Sequence, residues 1–266
     1  MNKVLYKANV KSNFFIFIFI TGMMLLYTTI SVGMFDPDNA ETINAMLNMM
    51  PEGMMKAFGF DGIGTELTSY ISNYLYGFIF LVFPVIYTVI VSNKLIAKHV
   101  DTGSMAYLLT TPNSRKSIAL TQAVFLASTS LAIILINTAV AIIMSSLMFS
   151  GMLDIGKFLM LNVVTYLCLF VIAGLGFFFS CLFNDTKNSL SFGTAIPVIF
   201  IVVKMVSAIS ENLDFLKFLS IYSLIDIDKI LSDYGYSFSI SGILMVVGLG
   251  LFYTSIQLFD RRSLSL

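Results

Sequence analysis

The sequence predicts an all-α integral membrane protein with six transmembrane helices, and three observations carry that prediction. Hydrophobic residues make up 58% of the 266-residue chain and charged residues only 11%, whereas about a quarter of a soluble domain is charged. Six apolar stretches reach the ~20 residues that a helix needs to cross the hydrocarbon core. These stretches are too long and continuous for the alternating ten-residue strands of a membrane β-barrel, and only helices or closed barrels satisfy the backbone in lipid.

The spans fall near 14–35, 71–93, 119–150, 158–183, 191–210 and 237–259. Together they form one membrane domain over residues 1–266. The first is longer than a signal-peptide core and lacks a small-residue cleavage site, so it reads as a retained helix. Before it, residues 1–13 set Val4, Leu5 and Ala8 beside Lys3, Lys7 and Lys11. That pattern suits an interfacial helix, with a frayed basic tail as the alternative.

Charge sets the orientation, because short segments rich in Lys and Arg stay in the cytoplasm. With both termini inside, the inner segments hold Lys3, Lys7, Lys11, Lys94, Lys98, Arg115, Lys116, Lys187, Arg261 and Arg262 against Asp101, Asp185 and Asp260. The outer segments hold twelve acids against Lys56, Lys157, Lys217 and Lys229. The zero net charge therefore conceals a polarised molecule.

Outside, the loop 36–69 carries Ile43, Met46, Leu47 and Met50 at helical spacing, ended by Pro51 and Gly53. Its methionine cluster, Met46, Met49, Met50, Met54 and Met55, lacks a neighbouring Cys or His, so it reads as flexible apolar packing and not as a copper site. The second outer loop, 211–236, places Leu213, Leu216, Phe218 and Leu219 at helical spacing and is too apolar to be simply solvated.

Candidate chemistry is sparse. His99 stands alone as the one histidine, and Cys168 and Cys181 lie within one span, where they read as packing residues. Gly151–Phe158, G-M-L-D-I-G-K-F, imitates a phosphate-binding loop but ends in Phe158 where a magnesium-binding hydroxyl is needed. No catalytic or metal set is therefore assigned. Asn137, Asn162 and Lys204 are candidates for a pathway through the membrane. Interhelical hydrogen bonding for the asparagines and snorkelling for Lys204 are the alternatives. Gly174, Gly176 and Ser180, and Gly242, Gly248 and Gly250, would allow close helix approach.

The cytoplasmic loop 94–118 is the most informative segment. Asp101 and Ser104 are candidate N-caps, Met105, Leu108 and Leu109 form an apolar face, and Thr111 before Pro112 must leave helical geometry. The expectation is a two- to three-turn helix whose apolar face seats in another protein's groove, or else rests on lipid.

Here the residues resemble a known family. Gly103–Arg115, G-S-M-A-Y-L-L-T-T-P-N-S-R, is similar to the G-T-L-E-L-L-L-S-T-P-V-S-R coupling segment of type-2 ABC exporter permeases. Met50–Gly59, Phe218–Asp226 and the tail Phe259–Leu264 are similar to further segments of those permeases, in the same order. The chain departs from the pattern at Asp101, Ala106 and Ser263. The resemblance implies that Asp101, Gly103, Ser104, Met105, Tyr107, Leu108, Leu109, Pro112 and Arg115 couple the chain to a separate ATP-binding cassette ATPase. ATP and Mg2+ would sit on that partner, with no cofactor on this chain.

It further implies pairing with a second copy or a homologous permease in a bacterial cell membrane, no nucleic acid partner, and export of an amphipathic lipid, hydrophobic peptide or drug-like molecule. A non-transporting sensor or immunity scaffold is the alternative. An ion-coupled carrier or channel fits less well, because no acid lies within a span.

Overall fold

The computed structural model describes residues 2–37, 49, 51–58, 66–110, 113–209 and 211–262. The expected amphipathic turn set of Ile43, Met46, Leu47 and Met50, together with Pro112, lies outside them. In chain order the helices are α1 (Lys3–Gly33), α2 (Glu52–Phe58), α3 (Leu67–Tyr76), α4 (Ile79–Leu95), α5 (Ala97–Asp101), α6 (Met105–Leu109), α7 (Arg115–Met148), α8 (Ile155–Leu182) and α9 (Thr186–Ile209). Two 3-10 segments, Glu211–Leu219 and Ile221–Leu224, precede α10 (Ile227–Ser232) and α11 (Tyr234–Arg261).

Among the described residues, six helical stretches are long and apolar enough to span a membrane, and they coincide with the six expected positions. Most run beyond the apolar core of the sequence because their ends are capped by polar residues. Asn2, Ser114, Asp154 and Asp233 each accept from a backbone N–H in the first turn of α1, α7, α8 and α11. The helix expected for residues 1–13 is present but is not separate: it forms the first turns of α1 and continues directly into the first span. The second span is divided. Its two parts, α3 and α4, meet at Gly77 and Phe78, and Pro84 inside α4 cannot donate to the preceding turn.

The core is organised around α8, which packs against α4, α7, α9 and α11. α8 and the α3–α5 stretch are the most buried spans, and α9 is the least. Small residues set the distances between them. A methyl group at Gly248 of α11 would overlap the Phe170 ring, one at Gly174 would lie 3.0 Å from Leu251 Cβ, and one at Gly176 would lie 2.6 Å from Ser92 Oγ. Gly242 and Gly250 instead face open space, so they are not packing contacts within the chain.

The two ends of the described chain, Asn2 and Arg262, lie at one end of the bundle, the terminus-bearing end. Asn2 N–H donates to Thr121 Oγ1 at 2.8 Å near the start of α7, and Arg115 donates to the Arg262 carbonyl at 2.7 Å. The Gly151–Phe158 stretch lies at the opposite end. It turns at Gly151, with φ +80°, and there Asp154 N–H donates to Thr68 Oγ1 at 2.8 Å.

Candidate functional site

The residues of the expected coupling segment come together at the terminus-bearing end, where the chain leaves α4 through an elbow made of α5 and α6. Ile96, with φ −128° and ψ −63°, breaks the helix between α4 and α5. Gly103 then reverses the chain at φ +70°, a backbone region that costs other residues about 1–2 kcal/mol. Its N–H reaches back to the Val100 carbonyl at 3.0 Å.

The two expected N-caps do other work. Asp101 closes α5 and sends its carboxylate across to accept from the Thr186 N–H at 3.3 Å, at the start of α9. Ser104 precedes α6 without capping it. Its hydroxyl instead pairs with His99 Nδ1 and Thr102 Oγ1, both at 2.9 Å, and so ties α5 to the turn. His99, which falls within the expected cytoplasmic loop 94–118, is a half-buried member of α5.

The helix is shorter than expected, and its apolar face points the other way. Met105 is fully buried, and Leu108 and Leu109 pack against the same core. The face expected to meet a partner is therefore consumed by the chain's own interior. What the elbow presents outward is Asp101, Thr102, Gly103, Thr110 and above all Tyr107, which is 79% exposed.

The elbow rests on the turn between α8 and α9, which the sequence did not single out. Ala97 N–H donates to Ser180 Oγ at 3.0 Å, and Asn93 Nδ2 donates to the Thr186 carbonyl at 3.4 Å. Arg262 closes the other side of this turn, donating to the Cys181 carbonyl, to the Phe183 carbonyl at 3.1 Å and to Asn184 Oδ1. A cation placed at the C-terminus of α8 also suits the helix dipole. Burial lowers the Arg262 pKa from the ordinary arginine value. Asp185 accepts from the Asn188 N–H at 2.7 Å, and this bond holds its carboxyl below the usual range. Asp185 was visible in the sequence only as a charge flanking a span, and Arg262 as one more charge within the tail Phe259–Leu264. Their cap positions, an acid before the first turn of α9 and an arginine beyond the last turn of α11, were the available signal.

The intramembrane candidates separate. Asn162 is the centre of a knot between three spans: its Oδ1 accepts from Tyr76 and Thr138, both at 2.6 Å, while its Nδ2 donates to the Phe158 carbonyl at 2.8 Å. Asn137 is fully buried and donates to the Ile133 carbonyl at 2.9 Å. Both asparagine side chains are buried within the bundle. Lys204 differs. It is partly exposed on α9 and within electrostatic reach of Asp226 and Cys168.

No group of three or more potential metal ligands occurs among the described residues. No curated protein matches the chain. Residues 7–264 match the family described as ABC-2 family transporter protein.

Proposed function

Because the chain belongs to the ABC-2 transporter family, we propose that it is the exporting half of a complex whose energy comes from ATP-binding subunits seated on the α5–α6 elbow. Membership makes it a multi-pass membrane permease that works with ABC ATPases in general. The proposal adds the place of contact, the direction and the substrate class. In it the terminus-bearing end faces the cytoplasm, as the cations at Lys94, Lys98, Arg115, Lys116, Lys187, Arg261 and Arg262 favour.

The observation that carries the reading is the construction of the elbow. Its first arm, α5, is held at both ends by hydrogen bonds to the last turn of α8 and the first residue of α9, and its second arm projects an aromatic residue, Tyr107, into solvent. An immobilised elbow can pass a push from a partner into the spans, whereas a loose loop would absorb it. α9 supplies the second support: Phe192, Val198, Ile199 and Val202 are exposed along it, an apolar face suited to a second permease or to an amphipathic lipid, hydrophobic peptide or drug-like substrate. Lys204 lies on the same helix and is assigned to the pathway.

The test is reconstitution of the full chain with its ATP-binding subunit in vesicles. ATP hydrolysis should exceed that of the isolated subunit, and a fluorescent amphiphile should leave the leaflet facing that subunit only when ATP is present. A stable complex that hydrolyses ATP without moving any amphiphile would favour a sensor scaffold.

A further inference from the structure

We propose that the crevice between α1, α4 and α7 is a binding site for one anionic phospholipid, with an acyl chain in the crevice and the headgroup on Lys7 and Lys11. The crevice has a volume of about 190 Å³. Its walls include Tyr6, Phe17, Tyr87, Phe125 and Ala132, a lining that is almost wholly apolar, with only hydroxyl and amide groups to interrupt it. The Tyr6 hydroxyl and Ser128 Oγ, 2.8 Å apart, tie α1 to α7 at this level. Such a space, opening sideways in a membrane span, meets hydrocarbon and not water.

Two residues at its mouth identify the occupant. Val10 and Phe14 line the crevice while remaining 40% and 56% exposed. Neighbours on a helix surface are three and four positions apart, so Lys7 adjoins Val10 and Lys11 adjoins Phe14. Lys3, Lys7 and Lys11 continue the same stripe toward the start of α1, and all three are exposed. No described carboxylate forms an ion pair with them. The polar end of the crevice is thus positive and its interior apolar, which matches a phosphate headgroup followed by a fatty chain. A neutral lipid would satisfy only the interior, and a free phosphate only the stripe.

The walls run from the terminus-bearing end only as far as the middle of the spans: α1 contributes from Tyr6 to Phe17, α7 from Phe125 to Ala132 near its midpoint, and α4 only Tyr87 at its centre. A lipid standing in one leaflet can therefore fill the crevice without crossing the midplane. Basic groups beside a membrane helix attract anionic lipid by roughly a factor of five per lysine. Two lysines then give about a thirty-fold preference for an anionic over a zwitterionic headgroup.

Native mass spectrometry of the full chain, released from micelles containing equal phosphatidylglycerol and phosphatidylcholine, tests this directly. The wild-type chain should retain one phosphatidylglycerol in preference to phosphatidylcholine. The doubly substituted Lys7→Gln, Lys11→Gln chain alters only exposed side chains and should lose most of that preference. Ala132→Phe fills the crevice and should lose the retained lipid while keeping the wild-type melting temperature. Unchanged headgroup preference in the lysine variant overturns the proposal whether or not Ala132→Phe folds. Unchanged retention in a folded Ala132→Phe chain overturns it as well.

Discussion

Replacing Tyr107 with alanine separates docking from folding, because the elbow divides its residues sharply between the two tasks. Tyr107 is 79% exposed, whereas Met105 is fully buried and Leu108 and Leu109 pack on the core. Removing an exposed side chain that holds no structural contact changes stability by no more than about 0.5 kcal/mol. At a protein interface, a truncated central aromatic costs about 2 kcal/mol or more, close to a thirty-fold loss of affinity. Tyr107→Ala should therefore melt like the wild type and bind its ATP-binding subunit at least ten-fold more weakly. Leu108→Asp with Leu109→Asp is the contrasting control. It places two charges against the core at about several kcal/mol each, so it should lower the melting temperature before any partner is added. Affinity is measured by titrating the ATP-binding subunit onto the permease in nanodiscs, and folding by thermal melting of the same samples. Wild-type affinity in Tyr107→Ala, or a clear drop in its melting temperature, would refute the assignment of Tyr107 to the outward contact.

Two further outcomes follow from the spans. Asn162→Leu removes the acceptor used by both Tyr76 and Thr138; Thr138 keeps its bond to the Ile134 carbonyl at 2.8 Å, but the buried Tyr76 hydroxyl is orphaned, a loss of about 1–3 kcal/mol. Combined with Tyr76→Phe in equilibrium unfolding from mixed micelles, it should show a coupling energy of about 0.6–1.7 kcal/mol, and strict additivity would mean the knot is not an energetic unit. Lys204→Met should reduce ATP-driven transport while basal hydrolysis and assembly persist; undiminished transport would leave Lys204 as an anchor between α9 and the Asp226 loop.

The six spans were legible because hydropathy and length are sums over many residues, and no single contact can overturn them. Span ends were less so, since Asn2, Ser114 and Asp233 extend helices past the apolar runs through caps that average hydropathy does not register. The pattern at Met105, Leu108 and Leu109 correctly marked an apolar face but not its direction. Periodicity shows which side of a helix avoids water, and a chain's own core serves as well as a partner's groove. The positive φ at Gly103 turns this face inward, and the backbone dihedral of a lone glycine cannot be read from sequence. Likewise, Gly174, Gly176 and Gly248 meet neighbouring helices while Gly242 and Gly250 do not, although all five look alike in the chain. The contact between Arg262 and the end of α8 depends on residues far apart in sequence, which only the packing brings together.

The α8–α9 turn is where the two halves of the proposed mechanism meet. On one side it receives the elbow through Ser180, Thr186 and Asp101. On the other it starts α9, the span least buried in the bundle. The hub is different in kind: α8 is fixed to its neighbours by the Asn162 knot and by glycine contacts with no room for a methyl group. A force on the elbow therefore meets a rigid helix before the turn and a more weakly held one after it. Closely packed cores shift as units and do not deform continuously, so the displacement is borne by α9. In the proposed transporter, the ATP-bound partner would favour one position of α9 over the other. The coupling free energy would then be the difference between those two seats of the elbow, and not the strength of docking itself.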